Sequence, residues 1–325
     1  MRELDLLVLP ELAFTGYNFS SLEHIKPYLE PTGSGPSANW ARSTARRLGC
    51  VVCVGYPELH ASALSPLEQT SSLEKAENED GQIEARKRFN SLLIVDPSGD
   101  ILLNYQKRFL YYTDEPWALE GENGKGDLQL PVFAKEPSSN SRPCEFSVGK
   151  HIPTTVGICM DINPYKFIAP YSAYEFATHV LDSGAKLVIL SMAWLSLLDP
   201  EELAGEPNTP DMDTFRYWIK RFWPLITRDT WDGGEIIVVF ANRTGREAGN
   251  EGKDTARYAG SSCVIGIRRA AAEGNGAGGE EERHGYYDAD IVLWERLGRA
   301  EEDVCLVDTD LPPKMRLKVF RGSGE

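Results

Sequence analysis

The stretch LLVLPELAFTGYNF, from Leu6 to Phe19, begins with an apolar run that no polar residue interrupts. Such a run reads as a strand buried on both faces, the pattern of a parallel or mixed sheet covered by helices rather than of a half-wet antiparallel one. It ends in Pro10-Glu11, so it carries a carboxylate into a mostly dry environment just before a loop of aromatics and a glycine. An acid there needs a partner or a task. Its ordinary alternative is a strand-end glutamate that turns to solvent or pairs with a basic neighbour.

Two further apolar strands end in reactive side chains. RFNSLLIVDPSGDILLNYQK, Arg88 to Lys107, is a β-hairpin whose turn is Asp96-Pro97-Ser98-Gly99, and its second strand delivers Lys107. IPTTVGI, Ile152 to Ile158, is a β-branched strand that runs straight into Cys159. A helix expected after the turn CMDINP carries Ala173, Phe176, Ala177, Val180 and Leu181 at helical spacing and stops at Gly184. Ser34-Gly35-Pro36 starts another that buries Trp40, Ala41, Thr44, Ala45 and Leu48, with Gly49 as its stop. KLVIL, EIIVVFANR and GSSCVIGI are further strands, CLVDTDL is a candidate to close the sheet, and a helix from about Asp213 presents Phe215, Trp218, Ile219, Phe222 and Ile226 with a bend at Pro224. Strands alternating with helices, together with hairpins, imply α/β layers with a mixed sheet. On pattern alone, a doubly wound sheet and a sheet pair flanked by helices both stay open.

The 325 residues contain no Pro/Ser/Gly linker between two hydrophobic patterns, so one domain, 1–325, is expected. Two polar segments, about 61–88 and 270–282, read as surface insertions with little fixed structure. A formal net charge of -15 argues against a phosphate-backbone binder, so no nucleic-acid partner is expected. No apolar run approaches the about 20 residues that span a bilayer, and no signal-like segment opens the chain, which gives no membrane partner and a cytoplasmic expectation, with nucleus or mitochondria open. The six cysteines, irregularly spaced, read as free thiols; Cys50 and Cys53 lie in a strand, where residues three apart face opposite ways. The five histidines show no ligand spacing, so neither a metal nor another cofactor is expected.

Cys159, at a strand end before an expected helix, is a candidate nucleophile, because a helix N-terminus lowers a thiol pKa and holds an oxyanion. The plainer alternative is a small buried hydrophobe. Amide hydrolysis needs a thiol that loses a proton, a leaving nitrogen that gains one and a stabilised oxyanion, and Glu11, Lys107 and Cys159 at three strand ends supply the types. A Cys-His pair using His151 or His179 is the competing arrangement.

LPELAFTGY around Glu11, YQKRFLYYTDEPWALEG around Lys107, VGICMDINPY around Cys159 and then ANRTGREAG with YAGSS resemble the carbon-nitrogen hydrolase, or nitrilase, superfamily. The resemblance implies a Glu11-Lys107-Cys159 triad on a four-layer αββα sandwich, with the first strand and helix of the family missing before Glu11. It also implies Glu120 as the second acid that positions the lysine, with Glu122 nearby, and the Met160 N–H as an oxyanion donor. GICMDINPYKFIAP with YEFA, and FLYYTDEPWALEG, are similar to the fungal protein N-terminal amidases. That likeness implies deamidation of N-terminal Asn or Gln to Asp or Glu with release of ammonia through a cysteine thioester, feeding an N-degron pathway. Its implied partners are protein or peptide N-termini, with a homodimer open. Asp114, Asp161 and Trp194 are the candidate substrate contacts, Asp161 having a helix cap as its alternative role. A small-molecule amidase and a catalytically inactive binding protein are the rival readings.

Overall fold

In the computed structural model, residues 4–63, 75–77, 83–131, 151–227, 234–249, 254–269 and 287–320 are described. The opening apolar run forms β1 (Leu6–Val8), which pairs in parallel with β3 (Val51–Ala63), Leu7 opposite Val52. Between them lie a short α1 (Leu22–Ile25), β2 (Glu30–Pro31), which also pairs with β3, and α2 (Pro36–Leu48). Pro36 suits the first turn of α2 because its missing N–H has no partner there to lose, and Gly49, at φ 64°, ends the helix in a left-handed turn. β4 (Lys75–Glu77) and β5 (Ile83–Val95) follow, and β5 turns through Asp96–Gly99 into β6 (Ile101–Gln106). These six strands form the first sheet.

Alternation along β3 and β5 explains why the first sheet needs cover on both sides. Val52 and Val54 of β3, with Leu93 and Val95 of β5, pack with Ala38, Ala41 and Ala45 of α2. Val51, Cys53, Leu92 and Ile94 turn the other way, into the main core. Cys50 and Cys53 thus fall in different clusters, as the period of two requires, and both are free thiols.

The second sheet has seven strands in the order β15-β14-β13-β10-β9-β8-β7. β7 (Asp127–Pro131) pairs antiparallel with β8 (His151–Ile158). After α3 (Glu175–Asp182) comes the fully buried β9 (Leu187–Met192), parallel to β8. α4 (Pro200–Gly205), α5 (Met212–Arg221) and α6 (Trp223–Thr227) lead to β10 (Glu235–Asn242), parallel to β9. A small ribbon of β11 (Arg246–Glu247) and β12 (Ala256–Arg257) precedes β13 (Cys263–Arg269), β14 (Tyr287–Arg296) and β15 (Met315–Phe320), all antiparallel. One apolar cluster joins Leu92, Ile94 and Tyr105 of the first sheet to Val156, Ile158 and Val188 of the second and to Phe176, Val180, Trp218 and Phe222 of the helices. The architecture is α/β with mixed sheets.

Several local expectations change: Leu48 is exposed rather than buried by α2, and Ala173 lies ahead of α3. The helix near Pro224 does not bend but breaks, α5 ending at Arg221 and α6 starting at Trp223. CLVDTDL forms no strand; the edge of the second sheet is β15, from Met315. The supposed insertion at 61–88 has ordered arms, since β3 and β5 stay paired from Val52–Val95 out to Ala63–Glu84 and β4 adds to β5. A two-stranded ribbon needs only its backbone bonds, so polar side chains on both faces do not prevent it. No α-helix starts at Cys159, where a 3₁₀ turn, Cys159–Ile162, forms instead. The 270–282 segment lies outside the described residues.

Candidate active site

Parallel pairing sets which strand ends meet. β8, β9 and β10 finish side by side, presenting Cys159, Ala193 and Arg243 from the second sheet. Beyond β1, Leu9 N still donates to Cys53 O at 2.9 Å, and the chain then turns so that Glu11 N reaches Met192 O at 3.4 Å. This turn lies flat against β3 because residue 55 is glycine: a Cβ there would sit 2.7 Å from Leu12 N and 3.0 Å from Glu11 Cα. Lys107 follows β6 and remains tied to β5 by its N–H, 2.8 Å from Asn90 O.

Glu11 and Lys107 are both fully buried and touch: Lys107 Nζ lies 2.6 Å from Glu11 Oε1. Asp114, also buried, takes the same ammonium at 2.7 Å through Oδ2. Asn90 ties the carboxylates together, its Nδ2 donating to Glu11 Oε1 at 2.7 Å and to Asp114 Oδ1 at 2.9 Å. Tyr17 OH and Tyr111 N donate to Asp114 Oδ2, at 3.2 and 3.0 Å, and the Tyr17 ring lies 5.4 Å from the ammonium. Glu11 Oε2 accepts from Ala193 N at 2.9 Å. Every charge in this group is dry, and each has at least two partners, the condition under which buried charge is tolerated.

Cys159 is nearly buried, with φ of 42°, a left-handed conformation that an L side chain adopts at a cost. Burial, and next the Glu11 carboxylate, push its thiol well above the ordinary cysteine value; Lys107 and the Ala193 N–H pull the other way. The depressed thiol expected from a helix N-terminus is therefore corrected. Burial likewise raises Glu11, with Lys107 opposing. For Lys107, burial alone would lower the pKa, but Asp114 and Glu11 outweigh it and keep the ammonium charged. The Ala193 N–H that donates to Glu11 Oε2 is also one of the groups that pull the Cys159 thiol down, so acid and thiol feel the same N–H.

The remaining candidates divide. Glu120 does not reach Lys107: its Oε1 accepts from Tyr165 OH at 2.7 Å and pairs with Lys166 at 3.4 Å. Glu122 pairs with Lys87 at 3.1 Å. The second acid on the lysine is Asp114. Asp161 is anchored, Oδ1 accepting from the N–H groups of Arg108 and Phe109 and Oδ2 from Ile158 N and Tyr105 OH, all within 3.1 Å. It staples the loop after Lys107 to the strand before Cys159, a structural part rather than a free acceptor. Met160 is buried in the turn, its sulfur 3.2 Å from Asn163 Nδ2. Trp194 is half-buried against Tyr217 and Trp218. Asn90 and Tyr17 escaped sequence reasoning; an asparagine inside the apolar run of β5 was the available signal for the first.

A buried thiol beside a carboxylate-lysine-carboxylate cluster can transfer a proton, attack a carbonyl and steady an oxyanion in one dry space. The carbon-nitrogen hydrolase family matches over residues 1–163, a stretch that contains Glu11, Lys107 and Cys159. The protein N-terminal amidase of Schizosaccharomyces pombe is 30% identical over 286 residues, covering 84% of this chain and 82% of that protein. The protein of the same name from Saccharomyces cerevisiae is 33% identical over 192 residues, 59% of this chain but only 37% of its own length. A crystal structure of an N-terminal amidase superposes with a TM-score of 0.66 at 24% identity, covering 98% of this chain and 90% of the other. Another, holding an Asn-Glu-Ala peptide, gives 0.64 at 23%, with 98% and 90% covered. Sequence match, fold and the placement of three strand ends agree: the chain belongs to the carbon-nitrogen hydrolase family, whose members are hydrolases of carbon-nitrogen bonds.

Proposed function

We propose that the chain is an amidohydrolase that deamidates N-terminal Asn, and Gln, of polypeptides. The carrying observation is the buried contact of Glu11 with Lys107 at 2.6 Å, beside a buried Cys159 whose thiol feels both of their charges. Glu11 takes the Cys159 proton as sulfur attacks the side-chain amide carbon, and the carbonyl oxygen becomes an oxyanion that meets Lys107 and the Met160 N–H. The C–N bond breaks, its electrons leaving with nitrogen, which receives the proton from Glu11 and departs as ammonia. Glu11 then deprotonates water, which attacks the thioester; the C–S bond breaks, sulfur regains the proton, and the product carries Asp or Glu at its N-terminus. A raised thiol suits this sequence, because the proton moves only when the substrate is in place.

The name shared by the two yeast relatives supports the polypeptide reading, as do exposed Tyr112 and Phe167, which lie on the loops after Lys107 and Cys159 and face each other at 6.2 Å. They offer apolar surface to residues beyond the first. Trp194 lines the pocket in this reading. We further read the chain as one domain, its sheets and helices layered αββα, and its product as a feed for an N-degron pathway. Ammonia release from an Asn-initiated peptide, its N-acetyl form and a free small amide tests the function. Release from the first alone supports it, equal release from all three favours a small-molecule amidase, and none from any favours an inactive binding protein.

A further inference from the structure

The stretch ANRTGREAG contributes nothing to the steps above, yet its first residues grip the turn that carries Glu11. Arg243 Nη2 donates to Glu11 O at 3.0 Å and to Leu12 O at 2.6 Å. Leu12 has φ of 44°, so the turn just after the acid is left-handed at a residue with a side chain and must be held from outside. The guanidinium also lies 5.6 Å from the Tyr258 ring centroid, and its Nε is buried with no hydrogen-bond partner. Its charge is directed at the two backbone carbonyls.

The neighbouring residues grip the other side of the same acid. Arg243 N donates to Met192 O at 3.1 Å, the carbonyl that Glu11 N also meets. Asn242 Oδ1 accepts from Trp194 N at 2.7 Å, and Asn242 Nδ2 donates to Gly260 O at 2.9 Å. Between these two anchors sits Ala193, whose N–H holds Glu11 Oε2. We infer that Arg243 is the positioning residue of Glu11: it clamps the strained Glu11–Leu12 turn so that the carboxylate stays aimed at Cys159 and Lys107. An acid displaced by an ångström loses much of its use as a base, whereas the fold can absorb that shift.

The inference rests on Glu11 being the base for Cys159, and its test does not depend on which amide is hydrolysed. Arg243→Ala and Arg243→Lys are compared with the unsubstituted chain for kcat and KM on an Asn-initiated peptide, for inactivation by iodoacetamide, and for melting temperature, each with and without millimolar guanidinium ion. For Arg243→Ala, kcat falls at least about 10²-fold with KM within about twofold. Alkylation of Cys159 slows in step, and guanidinium restores both rates in Arg243→Ala but not in Glu11→Gln. Arg243→Lys, whose ammonium can still donate to the carbonyls, lies between. Should Arg243→Ala not fold, Arg243→Gln takes its place in the same comparison. A folded variant with unchanged kcat and alkylation rate overturns the inference. So does a loss that guanidinium leaves untouched and that Arg243→Lys shares in full, which would make Arg243 a plain structural clamp. If no Asn peptide is turned over but alkylation follows the pattern above, the substrate reading fails and the positioning role stands.

Discussion

Asp114 Oδ2 lies 2.7 Å from Lys107 Nζ, and Glu11 Oε1 lies 2.6 Å from the same nitrogen, so that one ammonium holds two carboxylates. Asp114→Asn removes one of them while keeping the shape. The expected result is a loss of at least about tenfold in kcat for ammonia release, with a lower melting temperature, because a buried charge loses a partner. Glu120→Ala, which among the described residues removes polar contacts to Tyr165 and Lys166, is expected to change kcat by less than about twofold at a site whose worth is that of a surface pair. The reverse ranking would return the second-acid role to Glu120.

The triad strand ends were readable because an apolar run that stops at a charged or nucleophilic residue is a local pattern. Asp114 was not. Its approach depends on the turn at Tyr111–Trp117, where Asp114 N and Trp117 N bond back to Tyr111 O and Asp114 O, and no spacing rule says that such a turn folds under the lysine. Asn90 was hidden for a related reason: its task is set by which face of β5 it leaves from, and Ser91 next to it leaves from the other, toward Glu58 Oε2 at 2.5 Å. The ordered arms of the 61–88 segment escaped because composition speaks to burial, whereas backbone pairing holds them.

Cys159→Ala and Cys159→Ser are expected to abolish turnover with melting temperatures close to the parent's. Iodoacetamide is expected to label Cys159 before Cys50, Cys53 and Cys263, which are more deeply buried. Peptide mapping after partial inactivation checks the order. Retained turnover in the alanine variant removes the thioester route.

The pH dependence follows from the sign of the Glu11 shift. Burial raises its pKa, and the ionised form is the working base, so activity falls as pH drops through a value above the usual glutamate range. The acid limb of kcat/KM is expected there, and absent in the residual rate of Glu11→Gln, which should be lower by about 10² or more. A limb at the ordinary carboxylate value would mean that the acid titrates in water.

Asp161→Asn is expected to destabilise the chain by about 1–3 kcal/mol, since a neutral amide cannot accept from all four donors now aimed at its oxygens. Urea unfolding monitored by tryptophan fluorescence measures it. A loss confined to KM, with unchanged stability, would restore the ammonium-reading role.

For a substrate with a free α-ammonium, acetylation removes a charge and adds bulk at the site's mouth. Acetyl-Asn peptides are expected to be hydrolysed at least about 10²-fold less efficiently than free ones, with internal Asn untouched. Equal efficiencies favour the general amidase.

Glu11 and Lys107 hang from the first sheet, Cys159 and Ala193 from the second, and their chemistry exists only along the seam between them. A slip of that seam too small to expose the core would leave circular dichroism unchanged and still part the acid from its thiol. Catalysis is then a strain gauge for the interior: on mild heating or in dilute urea, turnover should fade well before any strand lets go.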